Sequence, residues 1–532
     1  MSLKHPAILN GLLAGLMLAL WPQATRAQAI PEDPEGAGRL NLPQAGQPVA
    51  VAKKGPSVLT LHDLIVDAIN NNLEIKAKRL DPVIQSNRLL SARGAFDPSW
   101  VLGYNFSDSE RAQNQRESMM FAGLPGGLPI FKERSLHLES GIAGKVTTGA
   151  QYQLLTSTDR LKNTVNSTLG RFFPEYQSNT TLTLVQPLLK DFGSNANLAE
   201  IRLQTSARKA SRYEMESTVL KVLRDVSSAY FEMVFAQENI RVKQEAVNVA
   251  KKLVEENTRR YEEGRMAPID VTQAKGRVAE ALEELLLANN FLAQRRNTLQ
   301  ELTRERFDPS ETRFTVDPAF MLQKAPAVNR AEARATMFRK NPSFLASLEV
   351  AKGEEYRIID ARNQTKPRVD LKASVGMNGL RGDFYDSYAN YQNRTQPSWG
   401  AGLMVNIPIG NHLARGRLAE SLNRKSQAGL NVQKTELTLD SAFDSALRDI
   451  ANATERVKLV GDSVRLARAA AEAETLRLAS GKTTSYNVSQ TLRDLSQAAS
   501  RELASFVDLN KALIQFEFIV GTLPEHLRIE LR

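Results

Sequence analysis

Two hydrophobic periods share this chain. After Pro98, Trp100, Leu102, Tyr104 and Phe106 alternate with Val101, Gly103 and Asn105. After Pro367, Val369, Leu371, Ala373 and Val375 alternate with Arg368, Asp370, Lys372 and Ser374. A period of two predicts strands with one apolar and one polar face, here at about 98–107 and 367–376. Returning strands are expected at about 179–187 and 398–408, where Trp399, Ala401, Leu403, Val405 and Ile407 share a face. A further hairpin is expected within about 134–156, from Arg134–Val146 and Gly149–Thr156 around the short Thr147-Thr148-Gly149 turn. Two placements remain open for it, in the sheet wall or folded over the outside.

Elsewhere the spacing is helical. Leu61, Leu64, Ile65, Ala68 and Ile69 predict a helix over 60–93 with a polar Asn70-Asn71-Asn72 step, and a second runs over 330–362, interrupted at Asn341-Pro342. Leu223, Val226, Tyr230, Met233, Ile240, Val247 and Val254 form a three-four seam with polar Gln237, Gln244 and Lys251 in it. The seam resumes through Leu285, Leu292 and Leu299, and again through Leu492, Leu509, Leu513 and Phe516. A helix from Gly193 to Glu263 would be a rod on the order of 100 Å at about 1.5 Å per residue.

These segments occur in the same order twice. Gly264-x5-Asp270-Val271-Thr272-Gln273 matches Gly481-x5-Asn487-Val488-Ser489-Gln490, and that register sets Ser228-Ala229 on Ser445-Ala446. A second register sets Asn72 on Asn341, Ala92 on Ala361 and Pro98 on Pro367. The expected fold is mainly α with a β-barrel part, a duplicated helix-strand-long-helix repeat. Its copies occupy 58–305 and 329–523, joined by a segment at 306–328 and followed by a tail at 524–532.

Composition narrows the setting. Lys4, an apolar run from Ala7 to Leu20 and the small residues Ala24, Ala27 and Ala29 read as a secretory signal peptide over 1–27, followed by a Pro/Gly-rich leader over 28–57. No later run offers the roughly 20 apolar residues of a membrane-spanning helix, so any crossing would use strands. With 0 cysteines there are no disulfides and no lipid-bearing cysteine. The net charge of +10 comes from basic residues interleaved with acids, which argues against nucleic-acid binding. Long polar loops, Ser107–Glu133 and Asn378–Gln396, lie at one end of the strands and helices at the other, as in a membrane barrel.

Gln186-Pro187-Leu188-Leu189 at a strand-to-helix junction, Tyr261-Glu-Glu-Gly264 with Asp270-Val271, and the matching Gly481 motif resemble the TolC-like outer-membrane efflux proteins over roughly 58–523. The resemblance implies a homotrimer with four strands per chain in one outer-membrane barrel, continued by a periplasmic coiled-coil tunnel. It also implies a periplasmic adaptor (membrane fusion) protein, an inner-membrane transporter and outer-membrane lipid as partners. The chain would be the exit duct of a tripartite efflux or type I secretion system. Gly264 and Gly481 would mark the periplasmic tips, with Arg265, Met266, Asp270, Lys482, Thr483 and Thr484 available to the adaptor.

Family members narrow the tunnel with acidic side chains just after the second tip. Asn487 and Gln490 stand there in this chain, so the aperture would lack a fixed negative field. Asp270 matches the acid of a family latch whose aromatic and basic partners are replaced by Leu478 and Thr483, leaving Lys482 as a substitute base. No catalysis, cofactor or metal is expected. Gly481-Lys482-Thr483 lacks the first glycine of a phosphate loop, having Leu476 instead, and His5, His62, His137, His412 and His526 are scattered. The rival reading is a periplasmic coiled-coil scaffold without a channel.

Overall fold

A computed structural model describes residues 58–120, 130–168, 170, 172–303, 313–314, 329–392, 397–527 and 529. The expected signal peptide and leader lie outside the described residues, as does the connecting segment apart from Arg313–Phe314, which as β6 pairs in parallel with β1 (Val58–Leu59).

The expected first helix is three: α1 (Leu61–Asn71), α2 (Leu73–Lys78) and α3 (Leu80–Arg93). Asn72 ends one and starts the next, because its side chain accepts the amides of Glu74 and Ile75. The second helix divides in the same way at Asn341, which accepts the Phe344 amide between α9 (Arg330–Lys340) and α10 (Pro342–Gln364). Proline at the first position of α10 loses nothing, since that amide has no helical partner.

Six strands make one antiparallel sheet in the order β2-β3-β4-β5-β7-β8. They are β2 (Ser99–Ala112), β3 (Ile130–Lys145), β4 (Gln151–Asn163), β5 (Glu175–Pro187), β7 (Arg368–Arg381) and β8 (Pro397–Asn406). Short helices α4 (Gln115–Met120), α5 (Thr164–Thr168) and α11 (Phe384–Gln392) follow β2, β4 and β7. The strands outrun the sequence expectation and take up residues assigned to loops. Cross-strand ion pairs Arg134–Asp108 at 2.5 Å and Lys132–Glu110 at 2.7 Å continue the β2–β3 ladder past the apolar stretch. The hairpin at 134–156 joins the sheet between β2 and β5, which raises the four strands implied by resemblance to six in this chain.

At the other end β5 leads through α6 (Ser194–Asn197) into α7 (Ala199–Glu262), which turns into α8 (Pro268–Thr303). β8 leads into α12 (His412–Ala479), which turns into α13 (Ser485–Val520) and then α14 (Leu523–His526). At 64 and 68 residues, α7 and α12 each extend about 100 Å at 1.5 Å per residue. The seam is buried as the spacing requires at Leu223, Val226, Tyr230, Met233 and Val247. Around 219–236 burial spreads past the seam, because α1, α8 and α13 all pack there. Leu523 and Leu527, after α13, are buried in that same core.

One contact occurs twice across this region. Asn72 Nδ2 donates to the Leu302 carbonyl at 2.8 Å, and Asn341 Nδ2 donates to the Ile519 carbonyl at 2.9 Å. Leu302 falls on Ile519 in the register that sets Gly264 on Gly481.

Candidate functional site

Two features have the geometry of function: the tips of the long helices and the exposed face of the sheet. Each tip is a left-handed glycine turn, with φ +73° at Gly264 and +69° at Gly481. The Arg265 amide returns to the Arg260 carbonyl at 2.8 Å and the Lys482 amide to the Arg477 carbonyl at 2.9 Å. This is a Schellman closure, which uses carbonyls that the ending helix leaves unpaired. Nothing lies within 4 Å of where a Cβ would sit on either glycine, so backbone angle alone selects the residue.

The two tips are tied to each other. Arg260 Nη1 donates to the Leu478 carbonyl at 3.0 Å while its Nε holds Glu256 at 2.8 Å. Asn257, fully buried, donates to Ser485 Oγ at 2.5 Å. Leu253, Leu478 and Val488 form a small apolar cluster beneath them. Higher up, Arg493 reaches Glu280 at 2.7 Å, joining α13 to α8.

Against this frame the expected tip residues separate. Arg265 is exposed and lies 3.5 Å from Glu263, and Lys482 is exposed with no ion pair among the described residues. Met266 instead packs into the cluster between the tips. Thr483 turns inward, donating to Glu474 and accepting from Asn487 Nδ2 at 3.2 Å. Thr484 caps α13 by accepting the Asn487 amide. Asp270 is half-buried and accepts from Asn257 through its backbone carbonyl at 3.4 Å, so within this chain it makes no latch to Lys482.

Asn487 and Gln490 lie one turn apart on α13, and Gln490 Nε2 donates to Asp494 Oδ1 at 3.3 Å. A carboxylate therefore stands one turn beyond the amides, a neighbour the sequence reading passed over. It also missed Asn257 and Arg260, whose only sequence signal is polarity within the last turns of a long seam.

On the sheet, register aligns Trp100, Ile142, Leu154, Leu182, Val375 and Trp399 in one row across all six strands. None is covered, with Trp100 61% and Trp399 83% exposed. The neighbouring row meets its polar needs laterally: Trp100 Nε1 donates to Ser140 Oγ at 2.9 Å, and Thr156 and Thr180 hydroxyls bond at 2.9 Å. The opposite face is polar. Its row Asn105, His137, Asp159, Gln177 places His137 Nδ1 2.5 Å from Asp159 Oδ1 and Nε2 3.5 Å from Glu139. Among the described residues no group of three or more His, Asp or Glu is arranged to hold a metal ion.

A continuous apolar face on long strands that run into paired helices is the arrangement of an outer-membrane efflux channel, and the family profile of the outer membrane efflux proteins matches residues 145–303 and 340–522. The chain belongs to that family. Outer membrane protein TolC of Vibrio cholerae is 22% identical over 342 residues, covering 61% of this chain and 74% of that one. Toluene efflux pump outer membrane protein TtgC of Pseudomonas putida is 26% identical over 270 residues, 50% of this chain and 52% of that one. The solved CmeC outer membrane channel of Campylobacter jejuni shares the fold at TM-score 0.60 and 16% identity, covering 91% of this chain and 94% of that one. This efflux protein is therefore an outer-membrane protein that extends into the periplasm.

Proposed function

We propose that three copies of this chain form the passive exit duct of a tripartite efflux system. The carrying observation is the apolar row from Trp100 to Trp399, exposed along a sheet whose edges, β2 and β8, each lack a second partner among the described residues. Lipid hydrates no backbone group, so a lipid-facing sheet has to close. In an even-numbered antiparallel sheet the two edges run in opposite directions. β8 of one copy can thus continue the antiparallel ladder with β2 of the next, a head-to-tail contact that closes a ring.

The helices support the same assembly. Leu282 and Leu286 on α8, and Leu430, Leu437, Leu459 and Leu466 on α12, lie exposed at helical or heptad spacing, a surface suited to helices of neighbouring copies. Each chain would then contribute two copies of a helix-strand-long-helix unit, the reading that the twin Asn72 and Asn341 contacts favour. The tips at Gly264 and Gly481 would meet the periplasmic adaptor, with Arg265 and Lys482 exposed there as charges. Asn487 and Gln490 would face the tunnel at its narrowest point. Energy would come from the inner-membrane transporter.

The chain's tryptophans make a clean test. Of 3 in the sequence, Trp21 belongs to the expected signal peptide, leaving Trp100 and Trp399. In the duct both face lipid, so brominated lipid should quench most of the fluorescence of the membrane-reconstituted protein. Recovery in the soluble periplasm without detergent would instead establish the coiled-coil scaffold.

A further inference from the structure

The hairpin β3–β4 changes what kind of duct this is. Four observations argue that it stands in the membrane wall. It pairs with a neighbour on both sides, from Ser99↔Ala143 to Ala112↔Ile130 with β2 and from Gln151↔Val185 to Leu161↔Glu175 with β5. At 16 and 13 residues both strands exceed the roughly 9–11 that a tilted membrane strand needs. Ile142 and Leu154 then carry the exposed apolar row between Trp100 and Leu182, a continuity that a hairpin folded over the wall would have no use for.

The fourth observation concerns its turn. Thr148 accepts the Gly193 amide at 3.0 Å, and a Cβ on Gly149 would lie 2.0 Å from the Asp191 carbonyl oxygen. Gly149 takes φ +94° and leaves that space clear. The turn is thus held against the junction where β5 passes toward α7, so the hairpin runs the full height of the wall from the loop end to the helix end.

Resting on the trimeric duct above, we propose that this protein closes an eighteen-stranded barrel, built from six strands per chain where the family resemblance implies four. Barrel diameter rises roughly in proportion to strand number, so at equal tilt the bore is about half as wide again as that of a twelve-stranded wall. Barrels of about this strand number leave an open aqueous channel. The added strands line it with Ser135, His137, Glu139, Ser157 and Asp159, on the face opposite the apolar row. The membrane section then admits bulky solutes, and size selection rests with the tips.

Engineered disulfides decide the matter, because the chain has 0 cysteines of its own. Leu102, Ser140, Thr156 and Thr180 follow one another in a single row. In the eighteen-stranded wall Leu102→Cys with Ser140→Cys, and Thr156→Cys with Thr180→Cys, cross-link on oxidation in native membranes. Leu102→Cys with Thr180→Cys does not, as three strand spacings separate them by roughly 14 Å. A wall that excludes the hairpin brings β2 beside β5 and reverses the result, so closure of the Leu102–Thr180 pair overturns the proposal. Lipid quenching of the tryptophans, retained in each variant, reports on the duct separately. Quenching with a closed Leu102–Thr180 pair leaves a twelve-stranded duct; loss of both quenching and membrane recovery removes the duct itself, and the proposal with it.

Discussion

The carboxamide of Asn341 holds the Ile519 carbonyl at 2.9 Å while its oxygen caps the following helix. One side chain thereby stops α9, starts α10 and ties both to the last turn of α13, and Asn72 does the same for α1, α2 and α8. Asn341→Ala should lower stability by about 1–3 kcal/mol, since a cap and a buried hydrogen bond go together. Asn341→Asp keeps the acceptor and loses the donor, so it should fall between. Thermal unfolding of the purified protein in detergent checks the order, and Asn72 variants should follow it.

Glycines in this chain should respond to alanine with opposite signs. Gly264→Ala and Gly481→Ala each place a side chain at positive φ, costing about 1 kcal/mol or more and loosening the turn. Limited trypsin digestion at Arg265 and Lys482 would show the loosening as faster cleavage. Gly276, inside α8 with open space around its Cβ position, should gain about 0.5–1 kcal/mol on conversion to alanine.

Glu232 on α7 bridges Arg295 of α8 and Lys511 of α13, each at 2.6 Å. Burial pushes its carboxyl up, but hydrogen bonds from Lys511 and Arg295 outweigh burial and hold it below the usual glutamate range. A depressed folded-state value means that the stabilisation is complete above the unfolded value and is lost as pH falls through the folded one. Glu232→Gln should therefore cost about 1–2 kcal/mol at neutral pH. Its melting curve should converge with that of the parent protein in acid, and a constant gap across pH would contradict the assignment.

The tie between the tips runs through Arg260. Arg260→Ala removes its bond to the Leu478 carbonyl, and it should raise single-channel conductance in planar bilayers if that tie holds the aperture closed. Lys482→Ala, which breaks no side-chain hydrogen bond or ion pair among the described residues, should leave conductance unchanged. The reverse result would move the latch to Lys482 and a neighbouring copy.

Asn257→Ala should leave Ser485, 1% exposed, without its partner and cost about 1–3 kcal/mol. Urea unfolding measures it, and Ser485→Ala in the same background should recover part of the loss, because the orphaned hydroxyl is then gone.

Alternation after Pro98 and Pro367, the three-four seam from Leu223 and the tip glycines were all legible in the chain, because each is a local rule: side-chain direction follows backbone period, and positive φ selects glycine. Local rules also located the break at Asn341-Pro342, but they marked Asn72 only as a polar step within one helix. They did not identify the Leu302 and Ile519 carbonyls as partners, which lie far away along the chain. Their place in exposed turns predicts Met266 and Thr483 as presented side chains. The apolar cluster under the tips and the Glu474 carboxylate draw both inward, and neither attraction is visible without the opposing helix.

Sequence alone determined the kinds of element, their order and the apolar face of each strand, since these depend on residues within a few positions of one another. Tertiary structure alone decided that β3 and β4 stand between β2 and β5, and that Arg260 and Asn257 join one tip to the other. A backbone hydrogen bond between strands carries no sequence code for its partner. Register was therefore settled only when the apolar row from Trp100 to Trp399 lined up and the Thr148 turn met Gly193.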